Sequence, residues 1–344
     1  LVQLRAIPAH IERRCEAEGW ATWKGEPLAP ATVALYDADK YIIRPFTVAR
    51  QCAFVEMVAR AAQPPDWFVS HWWGEPVRDF VVCIEQHARD HGLGDDARYW
   101  VCAYANNQWK LELDVDLEQT SFHKALALAE GTVSVVDSGG VTYTRHAPPI
   151  EPCPRSRASP QQRRSRALGA GPRSVWCCYE IFVSIGLEAS AKQYDVYTAR
   201  RHRFKLTWGN NDGYKDLSED REAVGICSQP TVFYDETVGG VEPADVQQER
   251  EKHFPLELAR LAFKLRLQDA KASVEADRVK ILNTIAGRPA AERAETPLKE
   301  HEGYEELNDV LRGRFAATAV CSLFDAKEPV DECARLLRCA DERR

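Results

Sequence analysis

The chain has 344 residues, 44% of them hydrophobic, and a formal net charge of −7. It contains no run of about 18 apolar residues, which excludes a membrane-spanning helix. The acidic balance argues against a dedicated nucleic-acid binder, whose phosphate contacts require a basic face. This length predicts two domains, or one domain with sizeable extensions. Because the first residue is Leu1 and not Met, we expect the chain to be a fragment of a longer product.

The eleven cysteines of the chain are an odd number and include no CxxC pair. Secreted disulfide scaffolds are short and have even counts, and zinc modules show paired spacings. The pattern therefore predicts reduced cysteines in a cytoplasmic protein.

Residues 1–65 predict a helical or irregular N-terminal extension. Positions 48–62 (VARQCAFVEMVARAA) have the spacing of an amphipathic helix. The segment Gln63-Pro64-Pro65 stops it, because proline favours extended backbone before it.

Predicted strands and helices alternate over residues 66–235. Short apolar runs predict strands at 67–70, 99–103, 132–136 and 194–198, with a fifth at 231–234. Helical spacing is predicted over 77–90, 121–130 and 175–187. Alternating strands and helices imply a parallel sheet covered on both faces. The predicted fold class is therefore α/β, a doubly wound flavodoxin-like domain with helical N- and C-terminal extensions.

One segment interrupts this rhythm. Residues 146–174 hold six Arg and six Pro in 29 positions, with a single acid. Such a composition has little to bury, so it predicts a disordered insertion, or a translated intron in the gene model. A nuclear-targeting or nucleic-acid-binding arm is the alternative.

The last region, 236–344, is predicted to be helical. Leucine, alanine and valine recur at helical steps over 258–282, and Gly287 and Pro289 end that helix. A second helix is expected over 304–324.

The candidate catalytic residue is Glu180, near the start of the helix predicted at 175–187. It shares a helix face with Trp176 and follows the carboxyl end of a strand, where doubly wound folds bind ligands. The apolar neighbour raises the carboxyl pKa and the helix N-terminus lowers it, and the sequence leaves the balance open. The alternative is an exposed helical glutamate beside a packing tryptophan.

Two further groups follow predicted strands and are candidate substrate-binding residues. The first leaves the opening strand as Ser70, His71, Trp72, Trp73, Gly74 and Glu75. The second comprises Asn106, Asn107 and Gln108, whose amides bind hydroxyls or phosphates. The alternatives are aromatic residues that pack a domain edge and amides that form ordinary turns.

His87 and His91 have the four-residue spacing of zinc ligands on a helix. No Glu or other third ligand lies near them in the sequence. We therefore expect both histidines on a solvated helix face, and we predict no metal site.

Two motifs of the sequence resemble those of the TIR (Toll/interleukin-1 receptor-like) domain family. Residues 67–80 (WFVSHWWGEPVRDF) resemble its first box, an apolar strand that ends in Ser, followed in plant-like members by Gly-Glu-x-x-Arg-x-x-Phe. Gly74, Glu75 and Arg78 are in step with that motif, and Phe80 arrives one residue early.

A second motif strengthens the resemblance. Trp176-Cys177-x-x-Glu180-Ile181 is similar to the Trp-Cys-x-x-Glu-Leu helix motif of the family, with Ile in place of Leu. The whole chain also resembles a set of dinoflagellate proteins that share the stretch FVSHWWGE.

The resemblance implies an activity. The Glu of that helix motif is catalytic in TIR enzymes, so Glu180 would promote cleavage of the nicotinamide–ribose bond of NAD+, which is then a substrate and not a cofactor. The transition state of such a cleavage is oxocarbenium-like, and a nearby carboxylate stabilises it. Aromatic and amide side chains would hold the rings, ribose and diphosphate: Trp72, Trp73, Trp176, Asn106 and Gln108.

Two alternatives stay open. Many TIR domains act by self-association or by binding other TIR-like domains, without catalysis. A nucleoside deoxyribosyltransferase-like enzyme also combines this sheet with a catalytic carboxylate. Plant-like TIR domains carry acidic residues where this chain has Asn106-Asn107-Gln108, so the ligand-binding loop departs from the family pattern.

Overall fold

The computed structural model describes residues 1–110, 116–137, 175–186, 192–208, 211–228, 251–270, 275–325 and 330–341. Its centre is a five-stranded sheet in the order β2-β1-β3-β4-β5. The strands are β1 Trp67–His71, β2 Tyr99–Val101, β3 Gly131–Val135, β4 Gln193–Trp208 and β5 Asn211–Ile226. The first four run parallel, and β5 runs antiparallel to β4. The fold is therefore α/β with a mostly parallel sheet.

Helices surround this sheet. Six precede or follow the first two strands: α1 Val2–Arg14, α2 Leu35–Ala38, α3 Arg44–Thr47, α4 Phe54–Val58, α5 Val77–Asp90 and α6 Cys102–Ala105. Six more follow: α7 Ser121–Leu128, α8 Val175–Gly186, α9 Leu256–Ala262, α10 Glu275–Ile285, α11 Glu302–Asp325 and α12 Asp331–Asp341.

The two faces of the sheet bury two separate apolar cores. Because side chains alternate along a strand, Trp67 and Val69 pack in one core and Phe68 packs in the other. Helix α5 covers the first face and α1 packs on it, while α8 covers the second face and α10 packs on it. The N-terminal segment thus belongs to the α5 face, and the C-terminal helices belong to the α8 face.

The strand predictions are confirmed for β1, β3 and the first part of β4, and the helix at 77–90 is confirmed to the residue. The strand predicted at 99–103 is shorter than expected, because its last two residues belong to α6. The strand predicted at 231–234 and the insertion at 146–174 lie outside the described residues. Strand β5 was not predicted, because its charged sequence NDGYKDLSEDREAVGI lacks an apolar run. The segment is a strand because its backbone pairs with β4 in an antiparallel ladder.

Two helix predictions are wrong. The single helix expected over 48–62 is replaced by the short α4, because the chain turns at Gln51, whose φ is 47°. The single helix expected over 258–282 is divided into α9 and α10, with a 3₁₀ turn at Leu267–Asp269 between them. Gly287, with φ 69°, follows the end of α10 as predicted.

Within the described residues, no helix is both long and apolar enough to cross a bilayer. The eight cysteines whose side chains the structure describes are free thiols. The boundaries at 65 and 235 stay predictions.

Candidate functional site

The candidate site lies at the carboxyl ends of β1 and β3. Trp67 pairs with Gly131 and Ser70 with Ser134, so the ends of the two strands lie side by side. From β1 the chain continues to β2 on one side, and β3 pairs on the other. This reversal of strand order is the topological switch point, where open α/β sheets bind ligands.

A small cavity of about 20 Å³ occupies this place. It is lined by Ser70, His71, Trp72, Ser134, Val135, Cys177, Cys178, Ile181, Leu265 and Leu267. Since a cavity of about 10–15 Å³ accommodates one water, this one has room for a water and not for a dinucleotide. Leu265 and Leu267, from the C-terminal region, form part of its wall.

Glu180 does not itself line this cavity, but it lies on α8 between the lining residues Cys178 and Ile181 and contacts Ser70. It is 5% exposed, and hydrogen bonds from the Ser70 hydroxyl and the Cys177 thiol favour its ionised form. Among the described residues its Oε2 atom has no hydrogen-bond partner. Burial outweighs the two hydrogen bonds and raises the pKa of Glu180 to about 8. The balance that the sequence left open is therefore decided by burial, and the expectation of an exposed glutamate is wrong.

The other titratable groups around the cavity are neutral. Burial lowers the pKa of His71 to about 4 and raises the pKa of Cys102 to about 12. Burial also raises the pKa of the Cys177 thiol well above its ordinary value. His71 Nε2 and Cys102 Sγ are 4.0 Å apart, yet the shifts oppose a thiolate–imidazolium pair. A cysteine nucleophile is thus disfavoured, which leaves the Glu180 carboxyl as the candidate acid–base group.

The two tryptophans after β1 have different surroundings. Trp72 lines the cavity and covers Gly74, where an added Cβ would lie 2.3 Å from the indole ring. Trp73 is buried, donates its indole N–H to Cys102 Sγ at 3.0 Å, and packs against Tyr36. Trp72 therefore forms part of the cavity wall, whereas Trp73 joins the N-terminal segment to the sheet.

Glu75 is not part of the cavity lining. It is 1% exposed, and its pKa is well above the ordinary value because of burial and because Asp137 and Asp79 lie nearby. Its Oε2 atom has no hydrogen-bond partner among the described residues. Sequence proximity to Ser70 therefore did not bring Glu75 to the same pocket.

The amide loop after β2 is used by the protein itself. The Gln108 side chain donates to the carbonyls of Cys102, Ala103 and Asn106. Asn106 accepts from Ser121, and the Asn107 side chain donates to the Gln51 carbonyl.

These contacts are those of an ordinary structured turn, the alternative that the sequence left open. None of Asn106, Asn107 and Gln108 lines the cavity. Trp176 belongs to α8, and its side chain is outside the described part of the chain.

The structure thus brings Glu180, Ser70, His71 and Trp72 together, and adds residues that the sequence analysis missed. Ser134 was detectable, since it alternates with apolar neighbours at the end of β3. Leu265 and Leu267 carried no signal, because their role depends on how the C-terminal helices pack.

The expected solvated face for His87 and His91 is wrong. His87 is fully buried, and both rings lie beside Asp195, a residue of β4 that is distant in sequence. This cluster lies on the α5 face, away from the Glu180 cavity.

Taken by itself, the Glu180 site has a buried carboxylic acid, a hydroxyl, a neutral imidazole and an indole around a switch-point cavity. Such groups suit proton transfer or stabilisation of a positive charge next to a ring. Comparison of the chain with protein-family models, with curated proteins and with solved structures finds no match.

Proposed function

We propose that the chain carries a TIR-like, doubly wound domain and is an NAD+ glycohydrolase in which Glu180 is the catalytic carboxylate. The observation that carries this proposal is the position of Glu180, a buried carboxyl that contacts Ser70 at the β1/β3 switch point. A carboxyl group held in the interior without a cation is costly, and such groups concentrate at functional sites.

The strand order supports the fold part of the proposal. The order 2-1-3-4-5 is that of flavodoxin-like sheets, which bind ligands at the β1/β3 crevice. The antiparallel β5 is a departure at the sheet edge, away from that crevice. The family assignment itself rests on the residues in 67–80 and 176–181.

The proposed chemistry needs the ionised form of Glu180. With a pKa of about 8, the carboxyl is mostly protonated at neutral pH. A cationic nicotinamide ring or a developing oxocarbenium ion beside it favours the carboxylate, because an opposite charge lowers the pKa of an acid. Binding of NAD+ would therefore release the proton and place a negative charge where the transition state is positive. Nicotinamide leaves as a neutral molecule, so the reaction needs no general acid.

The same geometry shows that the site is closed. A dinucleotide requires a cleft of several hundred Å³, whereas the cavity measures about 20 Å³. The segment 265–267 closes the cavity, and two hydrogen bonds hold its backbone to α11. Leu267 N donates to Asn308 Oδ1, and the Arg312 guanidinium donates to the Leu265 carbonyl. Activity therefore requires this segment to move away from the cavity.

The test is nicotinamide release from NAD+ by the purified full chain, at low and high protein concentration. We expect release by the unchanged protein and a loss of about 10³-fold or more in Glu180→Gln, since the amide cannot supply a negative charge. Glu257→Gln, which alters an exposed glutamate on α9, is the matched control and should retain the activity. Equal rates in the two variants would remove Glu180 from the mechanism.

A second candidate function is favoured by the closed cavity. If 265–267 covers Glu180 permanently, the domain acts as a TIR-like self-association module without catalysis. This alternative predicts a molecular mass that rises with protein concentration and is the same in Glu180→Gln. Sedimentation at several concentrations distinguishes it, since a monomer throughout would contradict the module.

A further inference from the structure

A second cluster of potential ligands lies on the α5 face of the sheet. His87 and His91 are one turn apart on α5, and Asp195 projects from the neighbouring β4. Asp195 Oδ2 lies 2.7 Å from His91 Nε2 and 3.4 Å from His87 Nε2. The three ligand atoms all lie within 4.8 Å of one another.

Asp195 and His87 are each held in orientation by a further hydrogen-bond contact. Asp195 Oδ1 accepts from the backbone N–H of Ser228 at 2.6 Å and from its hydroxyl at 2.9 Å, which leaves Oδ2 facing the histidines. His87 Nδ1 contacts the hydroxyl of Tyr99 at 2.8 Å, which directs Nε2 toward Asp195. Outer contacts of this kind fix the orientation of metal ligands.

The Nε2 atom of His87 makes no hydrogen bond within the described part of the chain. The His87 side chain is fully buried. At 3.4 Å the contact with Asp195 lacks hydrogen-bond geometry. A buried polar atom without a partner is rare and calls for a ligand or ion.

We propose that His87, His91 and Asp195 bind a divalent metal ion of the zinc class. Two imidazole nitrogens and one carboxylate oxygen form a donor set that Zn²⁺ prefers, with bond lengths of roughly 2.0–2.2 Å. Tetrahedral bonds of that length put neighbouring donor atoms about 3.3 Å apart. The distance from Asp195 Oδ2 to His87 Nε2 is 3.4 Å, and the 2.7 Å to His91 Nε2 would have to lengthen when an ion binds.

The surroundings of the cluster fit such an ion. The ring of Trp67 lies 4.3 Å from the His87 ring and 4.9 Å from the His91 ring, so one wall is apolar. The His91 side chain is 11% exposed, which gives an ion and a water ligand a route from solvent. A carboxylate with two neutral imidazoles also leaves one negative charge to offset the two positive charges of the metal.

A buried network held by protons alone is the competing explanation. It accounts for the short contact between His91 and Asp195, but it leaves His87 Nε2 without a partner. A metal ion satisfies all three inner atoms at once. We therefore assign the cluster to metal binding.

The test measures Zn²⁺ affinity of the full chain, freed of metal by a chelator, in competition with a chromophoric chelator. We expect one equivalent of Zn²⁺ per chain, and the d–d absorption of a tetrahedral site with Co²⁺. His91→Gln keeps a donor for Asp195 but removes a ligand, so its affinity should fall at least about 100-fold. His253→Gln, at an exposed histidine, is the matched control.

A second variant guards against a folding defect. Tyr99→Phe removes only the hydroxyl behind His87 and should weaken Zn²⁺ binding by about 10–100-fold. No binding by the unchanged chain would overturn the proposal, as would equal affinities in His91→Gln and His253→Gln. Glu180→Gln should bind Zn²⁺ normally, so this result is independent of the proposed NAD+ cleavage.

Discussion

Glu180 and Asp195 are both buried carboxyl groups beside the same sheet, yet their pKa values move in opposite directions. Glu180 lies on the α8 face, where burial raises its pKa to about 8. Asp195 lies on the α5 face, and burial alone would also raise its pKa. The contacts with His87 and His91 outweigh burial and hold the pKa of Asp195 well below its ordinary value.

The difference shows that neighbouring donors, and not depth, decide the charge of a buried acid. Glu180 has a hydroxyl and a thiol as partners, and with a pKa of about 8 it is mostly a neutral acid at pH 7. Asp195 accepts hydrogen bonds from a backbone N–H, a hydroxyl and the His91 ring, and the His87 ring lies beside it, so it is already an anion. The first arrangement suits a catalytic group that must change charge, and the second suits a permanent ligand.

Neutralising Asp195 tests this comparison with the largest expected effect. In Asp195→Asn the amide has one acceptor oxygen in place of two. Its NH₂ group must therefore face a donor, either at Ser228 or at the histidines. A hydrogen bond to a charged group contributes about 1.5–3 kcal/mol, so the loss of two such bonds to the carboxylate costs about 3–6 kcal/mol. Urea unfolding of the chelator-treated protein at pH 7 should show a loss of that size.

The matched control for this variant is Asp269→Asn, at an exposed ion pair with Arg266. It should change the free energy of unfolding by less than about 1 kcal/mol. Equal stability of Asp195→Asn and the unchanged chain would show that Asp195 is not a buried anion.

Replacing Glu180 by a neutral residue should raise the free energy of unfolding, whereas the same change at Asp195 should lower it. A group whose folded pKa is about 8 and whose unfolded pKa is about 4.5 destabilises the fold as pH rises from 4.5 to 8, because the folded state must retain a proton that the unfolded state releases. The loss is about 1.4 kcal/mol per pH unit. Glu180→Gln removes it, so we expect the variant to be as stable as the unchanged chain at pH 5 and a few kcal/mol more stable at pH 8.

The measurement is the difference in unfolding free energy between the two proteins across this pH range. Other buried acids such as Glu75 contribute equally to both and cancel. A difference that does not change with pH would show that Glu180 titrates normally in the folded chain.

The sequence predicted the sheet where a local pattern of residues decides the structure. Four of the strands have apolar runs, and the helix at 77–90 has a continuous apolar stripe, so both were found. Strand β5 was missed because its pairing partner, and not its composition, makes it a strand. The helix at 48–62 was wrong because a turn at Gln51 interrupts a good pattern.

The site shows the same limit. The placement of Glu180 near Ser70 followed from topology, since carboxyl ends of parallel strands share an edge. The third partner of His87 and His91 lies more than 100 residues away on β4. No spacing rule connects such residues before the sheet order is known. The closure by Leu265 and Leu267 likewise depends on how distant helices pack.

A smaller effect concerns the wall of the Glu180 cavity. In Gly74→Ala the added Cβ would lie 2.3 Å from the ring of Trp72, so the indole must move. Such overpacking typically costs about 1–3 kcal/mol. We expect a lowered melting temperature and a changed tryptophan fluorescence spectrum. Gly94→Ala, where the added Cβ would meet only the flexible Asp96 side chain, is the control. An unchanged spectrum in Gly74→Ala would contradict the described position of Trp72.

The smallest effect tests what sets the charge of Glu180. The Ser70 hydroxyl lowers the pKa of this carboxyl, so its loss in Ser70→Ala should raise the pKa above about 8. If the carboxylate is the active form, kcat/KM for NAD+ rises tenfold per pH unit below that pKa and levels off above it. The Ser70→Ala profile should therefore move to higher pH, with the plateau less affected than the rate at pH 7. Ser134→Ala removes a hydroxyl from the same cavity and should leave the midpoint in place. A midpoint that does not move in Ser70→Ala would mean that burial alone, without this hydrogen bond, sets the charge on the α8 face.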